Sequence, residues 1–369
     1  MKNGLRLLMT ADAAGGVWTY CCELASALRE YGVEISLAVM GDPPTRTQRA
    51  QFQELENVRL FENCARLEWM DDPWSDVDAA GAWLLEIAEQ ARPDVVHLNG
   101  YAHAALPWNL PVVVVAHSCV CSWWRAVKGE PVPLRLAEYH RRVEEGLRRA
   151  DLVVAPSFAM QAALRENYHF YAPEQVIPNA RSADSFSSGK KEAFIFSAGR
   201  VWDEAKNLRL LERIAPSLRW PVLLAGANNP ESDDETSPVV RLGQLEQDEL
   251  AARLTSAAIY AAPARYEPFG LGVLEAALSG CALVLGDIPS LRENWKGAAI
   301  FLPPEDDARW RDALNALAAE PERRADLAAR AGRRAARFST EVMAAAYFGA
   351  YCELVKTACV AGRLQESAA

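Results

Sequence analysis

Residues 266–280 read YEPFGLGVLEAALSG, and this stretch decides how the chain is interpreted. Glu267 stands in a loop punctuated by Pro268 and Gly270, directly after the apolar run 257–263, and Glu275 follows after seven intervening residues. Proline and glycine let the chain turn and bring its backbone amides close to a ligand. A helix that opens near Leu271 would point unpaired N–H groups and a partial positive charge outward, which suits an anion. The stretch predicts a strand, a loop and a helix with either a phosphate site flanked by two carboxylates or a plain turn with solvated glutamates.

The same stretch resembles the signature of the retaining, nucleotide-sugar-dependent glycosyltransferases of family GT4. The signature positions are occupied by Glu267, Phe269, Gly270, Leu271, Glu275, Ala276 and Gly280. Weaker resemblances follow in family order: GGVWTYCCELASAL near the start, PDVVHLNG at 93–100, PVVVVAHS at 111–118, ADLVVAPS at 150–157, VIPNA at 176–180 and SAGRVWDEAKN at 197–207. The resemblance implies an α/β protein of the GT-B fold, with two facing, Rossmann-like, doubly wound domains and an interdomain cleft.

Length and composition agree with a two-domain globular protein. The chain has 369 residues, of which 50% are hydrophobic and 24% charged, and that length favours two cores over one. A formal net charge of −10 argues against nucleic acid as a partner. No apolar run reaches the roughly 18–20 residues of a membrane span, and the first apolar run is too short for a signal peptide. The eight cysteines form no C-x-x-C pair and are expected to be free thiols in a reducing compartment.

Strand-like and helix-like runs alternate along the chain and restart once. Short, continuous apolar runs at 95–98 and 112–116 are typical of strands buried on both faces of a parallel sheet. A polar, small-residue-rich stretch at 181–191 is interpreted as a linker, and 228–237 as a polar loop. We therefore predict a first domain over 1–180, a second over 181–345, and a C-terminal helix over 346–369 that returns toward the first domain, as GT-B enzymes commonly show.

Two cations after the strand 194–198 suit a departing diphosphate. An arginine gives directional hydrogen bonds and a lysine adds a point charge, so Arg200 and Lys206 could stabilise the charge that builds on a leaving group. By resemblance to the family's G-R-…-K segment, both bind the diphosphate. The family spacing is usually one residue shorter and its lysine is often followed by glycine, whereas Asn207 stands here. That departure puts the loop geometry in question, more for Lys206 than for Arg200.

The resemblance also assigns roles within the two-glutamate stretch. Backbone amides of Gly270 and Leu271, in the segment that includes Phe269, would contact the same phosphates. Glu275 would hold the ribose hydroxyls and Glu267 would contact hydroxyls of the donor sugar. Retention through a covalent intermediate on Glu267 is an alternative, but the family favours front-face attack assisted by the departing phosphate. Base selectivity is expected in the loop 243–245, which ends at Leu245.

The first domain offers a weaker set of candidates. Gly15 and Gly16 lie between a strand and a helix, where they could admit a ligand or form a simple tight turn. His117 follows the run VVVVA and could contact the donor sugar or shield charge near its anomeric carbon; the alternative is a histidine satisfied by neighbouring backbone. His97, within an apolar strand, is interpreted as structural. Ala180 replaces the glycine usual after I-P-N, which would restrict hinge motion.

No metal site or resident cofactor is expected. Asp76 and Asp78 form a D-x-D, but before a helix, where capping or solvation explains them better, and none of the five histidines has a zinc spacing. The donor would be a nucleoside-diphosphate sugar, used without a metal.

The leading hypothesis is a retaining hexosyltransferase that moves a sugar from a nucleotide sugar to an acceptor hydroxyl. An epimerase of nucleotide sugars on the same fold and a catalytically silent sugar-binding protein remain as alternatives. The acceptor could be a glycan, a lipid-linked molecule or a small molecule. A cytoplasmic location is expected. The basic helix near 134–149 allows a weak membrane-surface contact, although its interleaved glutamates favour a solvated, ion-paired face.

Overall fold

The computed structural model describes residues 4–226 and 239–368, with side chains described up to residue 360. The polar loop predicted at 228–237 lies outside the described residues. The chain divides into two compact units: unit 1 comprises Met1–Ser122, Glu130–Asn179 and Thr340–Ala369, and unit 2 comprises Trp123–Gly129 and Ala180–Ser339. The domain limits predicted from the sequence, at 180 and 345, stay predictions.

Unit 1 is built on a seven-stranded sheet in the order β3-β2-β1-β4-β5-β6-β7. Its strands are β1 (Arg6–Asp12), β2 (Glu34–Met40), β3 (Val58–Glu62), β4 (Val95–Leu98), β5 (Val112–Val115), β6 (Leu152–Ala155) and β7 (Glu174–Val176). Every neighbouring pair is parallel. All four residues of β4, β5 and β6 are buried, as expected for central strands covered on both faces.

The helices of unit 1 connect these strands and cover the sheet. They are α1 (Gly16–Leu28), α2 (Arg46–Gln53), α3 (Trp74–Ala91), α4 (Val120–Lys128), whose last residues belong to unit 2, α5 (Ala137–Arg149) and α6 (Phe158–Asn167). Ser157 caps the start of α6, because its hydroxyl accepts a hydrogen bond from the amide of Met160 at 3.1 Å.

Unit 2 contains a six-stranded parallel sheet in the order β10-β9-β8-β11-β12-β13. Its strands are β8 (Glu192–Ala198), β9 (Val222–Ala225), β10 (Val240–Gly243), β11 (Ala257–Ala262), β12 (Ala282–Gly286) and β13 (Ala299–Leu302). Its helices are α7 (Arg209–Ile214), α8 (Gln247–Ser256), α9 (Leu271–Leu278), α10 (Pro289–Trp295), α11 (Asp307–Ala319) and α12 (Pro321–Ala335).

Alternate residues of the unit 2 strands belong to two separate hydrophobic cores. Phe196 and Leu283 join a buried cluster with Leu274 of α9, whereas Ile195 belongs to a second cluster with Trp310 of α11. Side chains alternate between the faces of a strand, so the two clusters lie on opposite faces of the sheet. The prediction of parallel, doubly wound sheets is confirmed.

The last helix, α13 (Thr340–Ala368), belongs to unit 1. Its Tyr347 and Tyr351 are fully buried. The Tyr347 ring lies 6.0 Å from that of Tyr20 on α1, and the Tyr351 hydroxyl contacts His97 of β4 at 2.6 Å. The chain therefore ends by completing the core of the unit with which it began.

Several sequence expectations need correction. The helix predicted at 134–150 is a short 3₁₀ turn (Leu134–Leu136) followed by α5, and Leu134 is 92% exposed. The stretch between β2 and α3, for which the sequence analysis names no element, contains α2 and β3; α2 begins with a capping box in which Thr45 and Gln48 satisfy each other's backbone N–H groups. The 181–191 linker is not uniformly exposed, since Arg181 is only 5% exposed.

Candidate functional site

The loop and helix of the two-glutamate stretch form an open N-terminus. Gly270 is the N-cap of α9 with φ +93°, a left-handed conformation that favours glycine, and it provides no side-chain cap. A Cβ there would also lie 3.2 Å from Leu291 and 3.3 Å from Val273. The first amides of α9, beginning at Leu271, are thus available to an anion at the positive end of the helix.

Helix α10 fixes the loop that precedes this N-terminus. The Ser290 hydroxyl donates to the carbonyl of Glu267, and the Asn294 amide donates to the carbonyl of Phe269 at 3.2 Å. The Phe269 side chain is buried and packs edge-on against Phe338, with ring centroids 5.3 Å apart. Phe269 therefore anchors the loop in the core, and only its backbone remains near the surface of the site.

The two predicted cations lie in the loop after β8, each beside a carboxylate. Lys206 forms an ion pair with Glu267, with 28% of the lysine and 19% of the glutamate side chain exposed. Arg200 pairs with Asp203 at 2.8 Å, is 48% exposed, and lies over the Trp202 ring at 5.3 Å. The structure thus brings Lys206 of one loop together with Glu267 of another, 61 positions away in sequence.

Asn207 resolves the question raised by the missing glycine after the lysine. It has φ +54°, a left-handed conformation that asparagine tolerates better than most residues. Its side-chain amide donates to the carbonyls of Pro263 (3.0 Å) and Pro304 (2.8 Å), and the amide of Arg265 donates to the Ala205 carbonyl (2.8 Å). Asparagine here keeps the backbone turn and ties the cationic loop to the loop that carries Glu267.

Glu275 lies deeper than Glu267. The residue is 7% exposed, and its carboxylate forms an ion pair with the Arg181 guanidinium at 2.9 Å. Arg181 is itself buried and lies over the Phe186 ring at 5.0 Å. Burial, followed by the nearby charges of Glu275 and Glu267, raises the pKa of Tyr260. The charges of both glutamates therefore act on the same buried hydroxyl, and each glutamate has a cationic partner.

The loop predicted to select the base follows β10. Gly243 ends that strand with φ +67°, and its carbonyl accepts a hydrogen bond from the Gly226 amide at 2.7 Å. Leu245 is partly buried against the core cluster that also contains Val273 and Leu274. The backbone of this loop is thereby held at the same edge of the sheet as the cationic loop.

The candidates of the first domain lie in unit 1. Gly15 is the N-cap of α1 with φ +76°, and no heavy atom lies within 4 Å of where its Cβ would stand. Gly16 begins the helix. The open space over Gly15 is compatible with close approach of a ligand.

His117 follows β5 and belongs to a polar cluster. Its Nε2 lies 2.8 Å from the Asn99 side-chain oxygen, and its ring packs edge-on against Tyr20 at 4.5 Å. His97 is fully buried, as the structural interpretation expects, and lies 3.2 Å from the same oxygen. Burial lowers the pKa of His97 to about 4 and that of His117 to about 3, so both rings are neutral near pH 7.

The remaining charged candidates are engaged in local contacts. Asp76 accepts a hydrogen bond from the Arg66 amide at 3.0 Å, and Asp78 pairs with Arg142. On α5, Arg141 pairs with Glu138 and Glu145, Arg142 with Glu138, and Arg148 with Glu144. The described residues contain no group of three or more histidines, cysteines, aspartates or glutamates that could hold a metal ion. No helix within the described part of the chain is long and apolar enough to cross a membrane.

Sequence reasoning missed several residues that shape the site. Arg181 falls in the stretch interpreted as a linker, Asp203 lies in the 197–207 segment without an assigned role, and Ser290 and Asn294 belong to none of the quoted motifs. Asn99 stands two residues after His97, and period-two alternation at the end of a strand was the one signal that could have placed both side chains on the same face.

Comparisons with known proteins point in one direction. A family model described as "Glycosyltransferase Family 4" matches residues 14–184, and one described as "Glycosyl transferases group 1" matches residues 192–320. A curated relative, phosphatidyl-myo-inositol mannosyltransferase of Mycolicibacterium smegmatis, is 24% identical over 95% of this chain and 93% of its own. Sucrose-phosphate synthase of Thermosynechococcus elongatus superposes with a TM-score of 0.80 at 18% identity, covering 96% of this chain and 100% of that one. Anabaena HepE, solved with UDP and glucose, gives 0.76 at 15% identity, covering 95% and 100%.

Proposed function

Because the chain belongs to glycosyltransferase family 4, has the GT-B fold and transfers a sugar from a nucleotide-sugar donor with retention, we propose that its unit 2 loops form the diphosphate site. The observation that carries the proposal is the convergence of Lys206, Glu267 and the uncapped N-terminus of α9. A cation and helix amides together complement a phosphate better than either does alone. Arg200, half exposed beside them in the same loop as Lys206, provides the second cation.

Each group has a step to perform in this proposal. Arg200 and Lys206 stabilise the charge that develops on the diphosphate as the glycosidic bond lengthens, and the amides of Gly270 and Leu271 contact the same oxygens. Glu267 accepts hydrogen bonds from the donor sugar, and Glu275, held by Arg181, receives the ribose hydroxyls. The loop that ends at Leu245 contacts the base.

We propose that retention proceeds by front-face attack without a metal. The departing phosphate takes the proton of the acceptor hydroxyl while the new bond forms on the face that the leaving group vacates. A covalent route would need Glu267 as a free nucleophile. The family resemblance, and not the pairing of this carboxylate with Lys206, is what favours direct transfer.

Unit 1 supplies the acceptor side in this proposal. The space over Gly15, next to Gly16, admits the acceptor or the donor phosphate, and His117 contacts a hydroxyl of the sugar. The acceptor is a hydroxyl of a glycan, a lipid-linked molecule or a small molecule; the Mycolicibacterium smegmatis relative is named for phosphatidyl-myo-inositol. A cytoplasmic location gives access to nucleotide sugars, and a lipid-linked acceptor would bring α5 to a membrane surface.

Turnover of a panel of UDP, GDP, ADP and dTDP sugars, with and without acceptor, tests the proposal. Transfer requires acceptor, epimerisation proceeds without it, and a binding protein turns over nothing. Arg200→Ala should lower kcat/KM at least about 100-fold, the order expected for removing a charged contact to the transition state. Its melting temperature should fall only slightly, because the arginine is half exposed and the buried Asp203 keeps its hydrogen bond from the Ala205 amide. A near-normal rate in this variant would contradict the phosphate role.

A further inference from the structure

Asn99 joins three elements of unit 1 through hydrogen bonds whose direction can be assigned. Its side-chain nitrogen donates to the Thr10 carbonyl of β1 at 2.6 Å, and its backbone amide donates to the Thr10 hydroxyl at 2.9 Å. A backbone carbonyl only accepts. The amide group of Asn99 must therefore turn its nitrogen to β1, which leaves its oxygen facing His97 and His117.

That oxygen fixes the tautomer of both histidines. It lies 2.8 Å from Nε2 of His117 and 3.2 Å from Nε2 of His97, and an amide oxygen accepts at two lone pairs but never donates. Each Nε2 therefore carries a hydrogen, and the Tyr20 hydroxyl oxygen, 3.3 Å from Nε2 of His97, accepts from the same hydrogen rather than donating to this nitrogen. On His97, the remaining Nδ1 accepts from the Tyr351 hydroxyl, 2.6 Å away. Tyr351 thus donates to His97, and His97 donates to Asn99.

The surroundings keep this arrangement uncharged. The titratable side chains around the two rings are Tyr20, Cys21, Tyr347 and Tyr351, and burial raises the pKa of each. Burial also lowers the pKa of both histidines. A neutral ring with hydrogen on Nε2 has a lone pair on Nδ1. No protein partner for Nδ1 of His117 is found among the residues that the structure describes, and this ring is only partly buried.

We propose that Asn99 is a positioning residue that locks His117 as the Nε2–H tautomer, so that His117 Nδ1 accepts a hydrogen bond from a substrate hydroxyl. The inference rests on the proposed place of His117 at the substrate. It specifies the chemistry of that contact: the substrate group must donate. A deoxyfluoro sugar, whose fluorine cannot donate, should lose the contact although it keeps the shape of the hydroxyl compound.

The test is the ¹⁵N spectrum of histidine-labelled protein, which distinguishes Nδ1–H, Nε2–H and imidazolium rings. We expect Nε2–H for His97 and His117, with His117→Gln assigning the second signal. Asn99→Leu should release the lock and give His117 mixed tautomer signals. Asn99→Asp keeps the acceptor, so it should retain Nε2–H but shift the ring toward imidazolium near neutral pH. Tyr351→Phe is the matched control, because it removes a bond to His97 and none to His117.

Activity provides a second readout. Asn99→Leu should lower kcat/KM about 10- to 100-fold, the range for losing one oriented hydrogen bond in transfer. Asn99→Asp should be impaired near pH 7 and should recover as the pH rises and the ring loses its proton. An Nδ1–H signal for wild-type His117, or an unchanged signal in a folded Asn99→Leu protein, would overturn the proposal. Normal transfer by His117→Ala would overturn the part of the proposal that places His117 at a substrate hydroxyl. An enzyme inactive on every donor would contradict the proposed function and leave the tautomer result standing.

Discussion

Removing the charge of Glu267 should tighten binding of a nucleoside diphosphate while it slows transfer. In the structure Lys206 already has an anionic partner, Glu267. A diphosphate must therefore compete with this carboxylate for the ammonium group and also approach its negative charge. Glu267→Gln removes both penalties and keeps the size of the side chain.

The magnitude follows from the exposure of the pair. With 28% of Lys206 and 19% of Glu267 exposed, the pair lies between a surface ion pair, worth ~0.2–1 kcal/mol, and a buried one, whose opening costs several kcal/mol. We take about 1–1.5 kcal/mol, which corresponds to a decrease in Kd of roughly 5- to 10-fold. Loss of a charged hydrogen bond to the donor sugar, about 1.5–3 kcal/mol, should lower kcat/KM by roughly 10- to 150-fold.

Calorimetric titration with UDP, or with whichever nucleotide gives the largest thermal shift, measures the first effect. Lys206→Met should weaken binding, and adding Glu267→Gln to it should bring a smaller gain than in the wild type, because only the repulsion by the carboxylate then remains to be removed. Glu320→Gln is the control for net charge, since the Glu320 side chain is 48% exposed and forms an ion pair with Arg323 at the start of α12. If Glu267→Gln binds the diphosphate no more tightly than the wild type at low salt, competition within the pair is not part of the binding equilibrium.

Three further outcomes are expected. Asn207→Ala should lower the free energy of unfolding by about 2–4 kcal/mol, because it combines left-handed strain with two lost hydrogen bonds. Asn207→Gly should lower it less, because glycine adopts the left-handed conformation without strain. Urea denaturation of both variants measures the difference. Arg181→Met should destabilise the protein by about 3–5 kcal/mol because it removes the cationic partner of the buried Glu275 carboxylate, and adding Glu275→Gln should recover most of that loss. The folded-state pKa values of His97 and His117, about 4 and about 3, lie below the unfolded value. The unfolded chain therefore binds more protons below pH ~6.5, so the free energy of unfolding should fall as the pH is lowered, by about 3 kcal/mol for the two rings between pH 7.5 and 5.5. A variant with glutamine at both positions should show a shallower dependence of stability on pH.

The parts of the fold that sequence could predict are those determined by local chemistry. The strand β4 spans the apolar run 95–98 and β5 all but the last residue of the run 112–116, because a strand covered on both faces is apolar almost throughout. The start of α9 at Leu271 follows from a glycine that alone suits φ +93°. In contrast, α2 and β3 were missed because an eight-residue helix and a half-exposed edge strand carry little periodic signal.

The partners of the site residues were beyond the reach of sequence. Glu275 meets Arg181, which is 94 positions earlier in numbering, and Asn99 meets Thr10 across 89 positions. Pairings of this kind depend on which strands become neighbours in the sheet. The departure at Asn207, visible in sequence as a missing glycine, could be judged only when its dihedral angle and its two carbonyl partners were known.

The two glutamates of one short motif have cationic partners of different character, and this difference divides their roles. Glu267 pairs with a partly exposed lysine in the loop that would receive the diphosphate, so a ligand can exchange with it at a cost of about 1 kcal/mol. Glu275 pairs with Arg181, with 9% and 4% of the two side chains exposed. Opening such a pair would leave a buried charge at a cost of about 3–5 kcal/mol. A ribose hydroxyl must therefore join the Glu275–Arg181 pair rather than replace it. The diphosphate, in contrast, must displace Glu267 from Lys206. Donor binding itself would then release the Glu267 carboxylate, which contacts the sugar.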